Sequence, residues 1–236
     1  MRIIEYEMRE LKNKLFDMVE LVHRQLDDLA EALHGLDHEA ANRIRKKEKK
    51  IDKMDVKIDK RCERIIALYQ PLAGDLRFVV VTLKINAMLE QIGDIASGIA
   101  RKILEVKRPF SPELLDKLQL DEMTLLTKLL VAESLSAFFK ENAEISKTIH
   151  QKDDRVDEIH RAAFSIFAEE IKKAPEDTED LLQLFLIMRG LEKIADFAVG
   201  IAQESAFNVE GVFYRHNKER KTGEDGKIVD EEALFG

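Results

Sequence analysis

The chain has 236 residues, of which 38 are Lys or Arg and 46 are Asp or Glu, giving a formal net charge of −8. A hydrophobic content of 45% suffices for a core and excludes full disorder, while 36% charged residues exceed the usual quarter and point to long, solvent-laced helices. The acidic balance excludes binding of duplex nucleic acid through the global field, so no nucleic-acid partner is expected.

Met1-Arg2-Ile3-Ile4-Glu5 lacks the apolar run of a secretory signal. A first helix carries Met8, Leu11, Leu15, Met18, Val22, Leu26, Leu29 and Leu33 in steps of three or four, and ends at Gly35. Asp37 is placed to cap a second helix, whose stripe is Ile44, Ile51, Met54, Ile58, Cys62 and Ile65, stopping near Gln70-Pro71. A third helix is expected from Gly74-Asp75, with Asp75 as its cap, to about Val106. Lys107-Arg108-Pro109-Phe110-Ser111-Pro112 reads as a linker, since two prolines in four residues interrupt any regular element.

Beyond the linker, Leu118, Met123, Leu126, Leu130, Leu135 and Phe138 mark a fourth helix. Ile145, Ile149, Val156, Ile159, Phe164 and Phe167 mark a fifth, up to Pro175, and Leu181 to about Phe207 a sixth. No run reads as a strand. Six helices of about 30 residues would be rods of about 45 Å. None approaches the eighteen or so apolar residues of a membrane span, so no insertion is expected. Cys62 stands alone, which fits a reducing cytoplasm.

An internal repeat organises these helices. Glu90-x-Ile92-x-Asp94-x-Ala96-x-Gly98-Ile99-Ala100 returns as Glu192-x-Ile194-x-Asp196-x-Ala198-x-Gly200-Ile201-Ala202, seven of eleven positions identical at an offset of 102. The same offset lays Asp75 on Asp177, again as a cap. Upstream, an offset of 105 lays Glu48, Ile51 and Asp52 on Asp153, Val156 and Asp157, so the turn before the third helix must differ by three residues. The expected architecture is all-α: two tandem three-helix bundles related by internal pseudo-symmetry, over 1–108 and 109–216, with a mobile polar tail over 217–236.

Each repeat holds two carboxylate pairs four residues apart: Glu48/Asp52 with Glu90/Asp94, and Asp153/Asp157 with Glu192/Asp196. That spacing projects both members from one helix face, where like charges destabilise an isolated helix by about 0.2–0.5 kcal/mol, so local propensity does not explain them. The third helix is apolar on two stripes, which makes it central and turns Glu90 and Asp94 towards a neighbour. Carboxylates drawn together there must protonate, pair with Lys or Arg, or bind a cation. An all-oxygen set suits hard cations such as Mg²⁺, Mn²⁺, Ca²⁺ and oxidised iron. Asp55 extends the first set. His160, its equivalent in the second, would add a nitrogen and favour a transition metal there. The expected ions are therefore iron, manganese, magnesium or zinc. The bland alternative makes these pairs structural ion-pair positions, and Arg45-Lys46-Lys47-Glu48-Lys49-Lys50 reads as a solvated helix face.

At these residues the sequence resembles the PhoU family. The resemblance is carried by Gln70-Pro71-Leu72-Ala73-Gly74-Asp75-Leu76-Arg77, by Leu89-Glu90-Gln91-Ile92-Gly93-Asp94 and by Leu191-Glu192-Lys193-Ile194-Ala195-Asp196, with Glu210-Gly211 and Arg215-His216 near the end. It implies paired three-helix bundles, multinuclear metal clusters on the acidic motifs in some members, and a regulator that dampens the phosphate-starvation response. It further implies contact with the phosphate ABC transporter's ATPase subunit and with a membrane sensor histidine kinase, which would hold the protein at the inner membrane. A homodimer is also expected. Gly98 and Gly200 depart from the family's common Asn. No catalytic nucleophile is apparent, so the chain reads as non-enzymatic. The competing readings are a di-iron carboxylate enzyme and a metal-free helical adaptor. For the former, Glu20-x-x-His23 and Glu31-x-x-His34 sit about 16 Å apart on one helix, too far to clasp one metal pair.

Overall fold

A computed structural model describes residues 3–142 and 144–211, without the side chains of 144–147. The Ile145 side chain, Arg215-His216 and the 217–236 tail thus lie outside the described residues. The elements are α1 (Ile3–Gly35), α2 (His38–Tyr69), α3 (Ala73–Glu105), α4 (Pro112–Lys117), α5 (Leu120–Phe139), α6 (Glu144–Lys173), a 3₁₀ turn (Pro175–Asp177) and α7 (Thr178–Glu210). There is no strand among the described residues.

Local chemistry explains most of the boundaries. Asp37 caps α2 as expected, its carboxylate accepting from the N–H groups of Glu39 and Ala40. Ser111 caps α4, with Pro112 at the first turn where its missing N–H costs nothing. Asp75 does not cap α3. The helix starts two residues earlier, Leu72 is its capping residue without a side-chain bond, and Asp75 sits in the first turn, where its charge suits the helix dipole. Asp177 does precede α7 but makes no capping bond from its side chain.

The expected fourth rod divides. Gln119 adopts a left-handed conformation (φ 54°), which separates the six-residue α4 from the 20-residue α5. The three-residue difference between repeats falls at the turn before the third helix. Gln70–Leu72 connect α2 to α3, whereas in the second repeat the chain tightens directly into Pro175–Asp177. Phe164, expected on an apolar stripe, is 69% exposed.

Two three-helix units, α1–α3 and α5–α7, pack mainly through α3 and α7. Their contacts keep a constant register: Lys84 to Glu204, Met88 to Gly200, Ile99 to Gly190 and Glu105 to Gln183, pairs whose numbers sum to 288 or 289. A constant sum means antiparallel helices. With an offset of 102, the pseudo-two-fold passes near Gly93 and Ala195. One continuous apolar cluster runs through both units.

Candidate metal centre

The acidic motifs lie where α2 faces α3 and where α6 faces α7. Packing directs them, because the apolar stripes of α2 and α3 bury Ile51, Ile58, Leu89 and Ile92 and leave the flanking carboxylates along the seam. Gln25, fully buried on α1, donates to the carbonyl oxygens of Gly93 (3.1 Å) and Ile44 (3.4 Å), fastening the three helices behind the seam.

In the first repeat Glu48, Asp55 and Glu90 are half-buried, while Asp52 and Asp94 are exposed. Partial burial raises the Asp94 carboxyl above its ordinary range, with Glu90 and Asp52 adding repulsion; a proton held there could be shared with Glu90 or Glu48. Asp55 is raised in the same way, by burial, then Asp59, then Asp52. Glu48 accepts a short hydrogen bond from the Ser97 hydroxyl, and Glu90 accepts one from Gln91 Nε2 at 2.7 Å. Buried Asn86 donates through Nδ2 to Asp55 Oδ1 (2.7 Å) and Asp59 Oδ1 (3.0 Å). Along this seam Asp94 is within electrostatic reach of Glu48, Asp52 and Glu90, and Asp55 of Asp52 and Asp59, with Ser97 and Asn86 as hydrogen-bond donors.

In the second repeat Asp153, Asp157 and Glu192 are half-buried and Asp196 is exposed. Glu192 is raised by burial, then by Asp196 and Asp157, which places the α6 and α7 carboxylates within mutual reach. His160 is held below its ordinary value by burial, against the pull of Asp157, and its buried Nε2 has no hydrogen-bond partner among the described residues. Its ring stacks on Phe185, centroids 6.0 Å apart. Position for position, the second site replaces Asp55, Asp59 and Asn86 with His160, Phe164 and Met188.

The distribution of cations decides what the first set can do. Three of the four buried acids elsewhere among the described residues are neutralised, Asp28 by Arg43 and Lys47, Glu7 by Arg61 at 2.7 Å and Glu204 by Lys84 at 2.9 Å, while Asp180 accepts from the Lys107 backbone N–H. Among the described residues, Glu48, Asp52, Asp55, Asp59, Glu90 and Asp94 have no Lys or Arg in ion-pair range. No ion pair among the described residues supports the structural ion-pair alternative for this repeat. An oxygen-only, unneutralised set is the donor chemistry of a hard cation. As they stand, no three His, Cys, Asp or Glu side chains among the described residues are gathered tightly enough to hold an ion, so binding would require rotamer adjustment.

Comparison with known proteins bears on the fold and the family. The sequence profile of the PhoU domain matches twice, over residues 15–103 and 120–205. The chain is 31% identical over 218 residues to a phosphate-specific transport system accessory protein PhoU homolog of Aquifex aeolicus, covering 92% of this chain and 98% of that protein. It is 31% identical over 214 residues to the accessory protein PhoU of Escherichia coli, covering 89% and 86%. Among solved structures, PhoU of Pseudomonas aeruginosa superposes with a TM-score of 0.81 at 28% identity over 88% of this chain and 99% of that one. The phosphate transport system regulatory protein PhoU of Streptococcus pneumoniae gives 0.76 at 28% identity, over 89% and 98%.

Proposed function

The chain belongs to the PhoU family, and from that premise we propose that it is a non-enzymatic accessory regulator of phosphate uptake. The relatives' names, which tie them to a phosphate-specific transport system, support this reading. In its finer form the protein damps the phosphate-starvation response as a cytoplasmic homodimer. It does so by touching the transporter's ATPase subunit and a membrane sensor histidine kinase, and reaches the inner membrane through them. No helix among the described residues is long and apolar enough to cross a membrane.

The observation that carries the metal part is the unneutralised carboxylate seam of α2 and α3. Glu48, Asp52, Asp55, Glu90 and Asp94 would hold a hard cation such as magnesium, manganese or oxidised iron, and Asp153, Asp157, Glu192 and Asp196 a second one. His160, with its bare buried nitrogen, would turn the second site towards iron or zinc. Bound at the first site, a cation supplies positive charge that no Lys or Arg among the described residues brings there, and at each site it would fasten the second helix to the third.

Elemental analysis of protein purified without chelator tests this. Metal is expected in the parent, with loss from the first site in Glu90→Gln/Asp94→Asn and from the second in Glu192→Gln/Asp196→Asn. Unchanged content in both variants defeats the assignment. The regulatory role predicts capture of the transporter ATPase or the kinase on the tagged chain and derepressed uptake on deletion. Capture that survives complete metal removal would leave the adaptor reading in place of the metal one.

A further inference from the structure

The outward face of α2 is a continuous row of cations. With 100° per residue, every position between 46 and 64 within 60° of Lys46 is basic: Lys46, Lys49, Lys50, Lys53, Lys57, Lys60, Arg61 and Arg64. Arg61 turns inward to Glu7. The other seven are exposed, and none makes an ion pair or hydrogen bond among the described residues. The row is straight and about 27 Å long at 1.5 Å per residue. One turn beyond Arg64 the same face presents Leu68, 64% exposed, and the connection past the end of the helix carries Leu72, 80% exposed.

Helix chemistry does not require this row, since the homologous face of α6 does without it. At the offset of 105 the seven cations become Gln151, Asp154, Arg155, Glu158, Ala162, Ser165 and Glu169, one base and three acids. Leu68 becomes Lys173, and Leu72 lies in the three-residue turn that the second repeat lacks. The chain thus concentrates seven exposed positive charges on one line of one repeat, against an overall charge of −8.

We propose that this face of α2, with its leucine tip, docks on an anionic lipid surface. Six of the seven cations are lysines, compact charges on flexible stems that suit dispersed lipid phosphates better than the fixed forks arginine offers to a defined partner. The face carries no aromatic residue, whereas protein interfaces draw their energy from Trp, Tyr and Arg anchors and single-stranded nucleic acid from stacking platforms. A straight row meets a planar leaflet along its whole length, but a curved duplex at only a few phosphates. Exposed leucines at one end of a basic stripe match the boundary between headgroups and acyl chains. The proposal is independent of the carboxylate seam, which lies on another side of α2.

Co-sedimentation of the full chain with vesicles of 7:3 phosphatidylcholine and phosphatidylglycerol, against phosphatidylcholine alone, tests it. Binding is expected to the anionic vesicles at about 50 mM salt and to fade at about 500 mM as charges are screened. Lys49→Gln/Lys53→Gln/Lys57→Gln/Lys60→Gln should weaken partition on the order of a thousandfold. Neutralising four exposed cations elsewhere (Lys12, Arg101, Lys172 and Lys193, each to Gln) should leave it near the parent's. Leu68→Ser/Leu72→Ser should weaken it several-fold, with thermal melting of every variant unchanged. Absence of binding to the anionic vesicles overturns the proposal, as does equal loss in both quadruple variants. Tighter retention on a short DNA duplex, lost in the α2 variant, would assign the row to nucleic acid instead. Because no transporter or kinase is present, a negative result leaves the regulatory reading standing.

Discussion

Asp94 shows what a single position contributes. Its carboxyl, like those of Asp55 and Glu192, is harder to ionise in the folded chain than in the unfolded one, chiefly because burial strips water from it. Their ionisation at neutral pH therefore works against the fold. That penalty is complete above the raised values, shrinks as pH falls through them, and is gone below the unfolded values near 4. In chelator, Asp94→Asn should raise the melting temperature at pH 7 and flatten its rise between pH 7 and 5. A lower melting temperature for that variant at pH 7 would contradict the assigned repulsion. Glu122 and Glu170, lowered by Arg155 and Lys173, act in the opposite sense, so the variant-to-parent difference is the quantity to follow. The carboxylates were legible because four-residue spacing marks a helix face, and Asn86 and Ser97 sit on the stripe of Glu90 and Asp94. Gln25 was not, since nothing in its neighbourhood announces an acceptor 68 residues away.

Between α3 and α7 the decisive residues are glycines. A Cβ at Gly190 would lie 2.8 Å from Ile99 Cγ1, and one at Gly200 would lie 3.2 Å from the Met88 sulfur. Under the 102 offset Met88 is equivalent to Gly190 and Gly98 to Gly200, so one close approach recurs on both sides of the pseudo-axis. Gly190→Leu should cost about 1–3 kcal/mol by overpacking, read from urea unfolding. Farther along the pair, Lys84→Ala removes a charged bond to Glu204, which is only 2% exposed, and should cost about 1.5–3 kcal/mol by the same measurement. Helix faces and most ends were readable from periodicity, Gly35, Asp37 and the two linker prolines. The break at Gln119 was not, because Lys117-Leu118-Gln119-Leu120 holds neither glycine nor proline, and the left-handed residue stands between two buried leucines. Asp75 misled for a related reason: an acid in the first turn and an acid at the cap look alike in sequence.

Across the whole molecule, the shared apolar cluster predicts that both repeats unfold as one unit. Cys62 reports on this from the first repeat, being fully buried with a thiol pushed up to about 12. Its labelling by a thiol reagent in rising urea should coincide with the loss of helical circular dichroism. Labelling that precedes half of the dichroism change would show the repeats separating. Duplication was legible as arithmetic on the sequence, but the antiparallel register was not, because no period encodes which faces of two distant helices meet. The same geometry bears on the order of the chain. Met8, Arg9 and Lys12 near its beginning and Asn208 and Val209 near the end of α7 line one cavity of about 460 Å³, while Lys107 to Ser111 cross the surface between the repeats. A circular permutant that begins at Pro109, bridges Gly211 to Ile3 with a short spacer and stops at Arg108 would keep the packing of α3 on α7 and the contacts of Lys107 and Arg108 with Glu179, Asp180 and Asp177, so gene order and architecture are here separable.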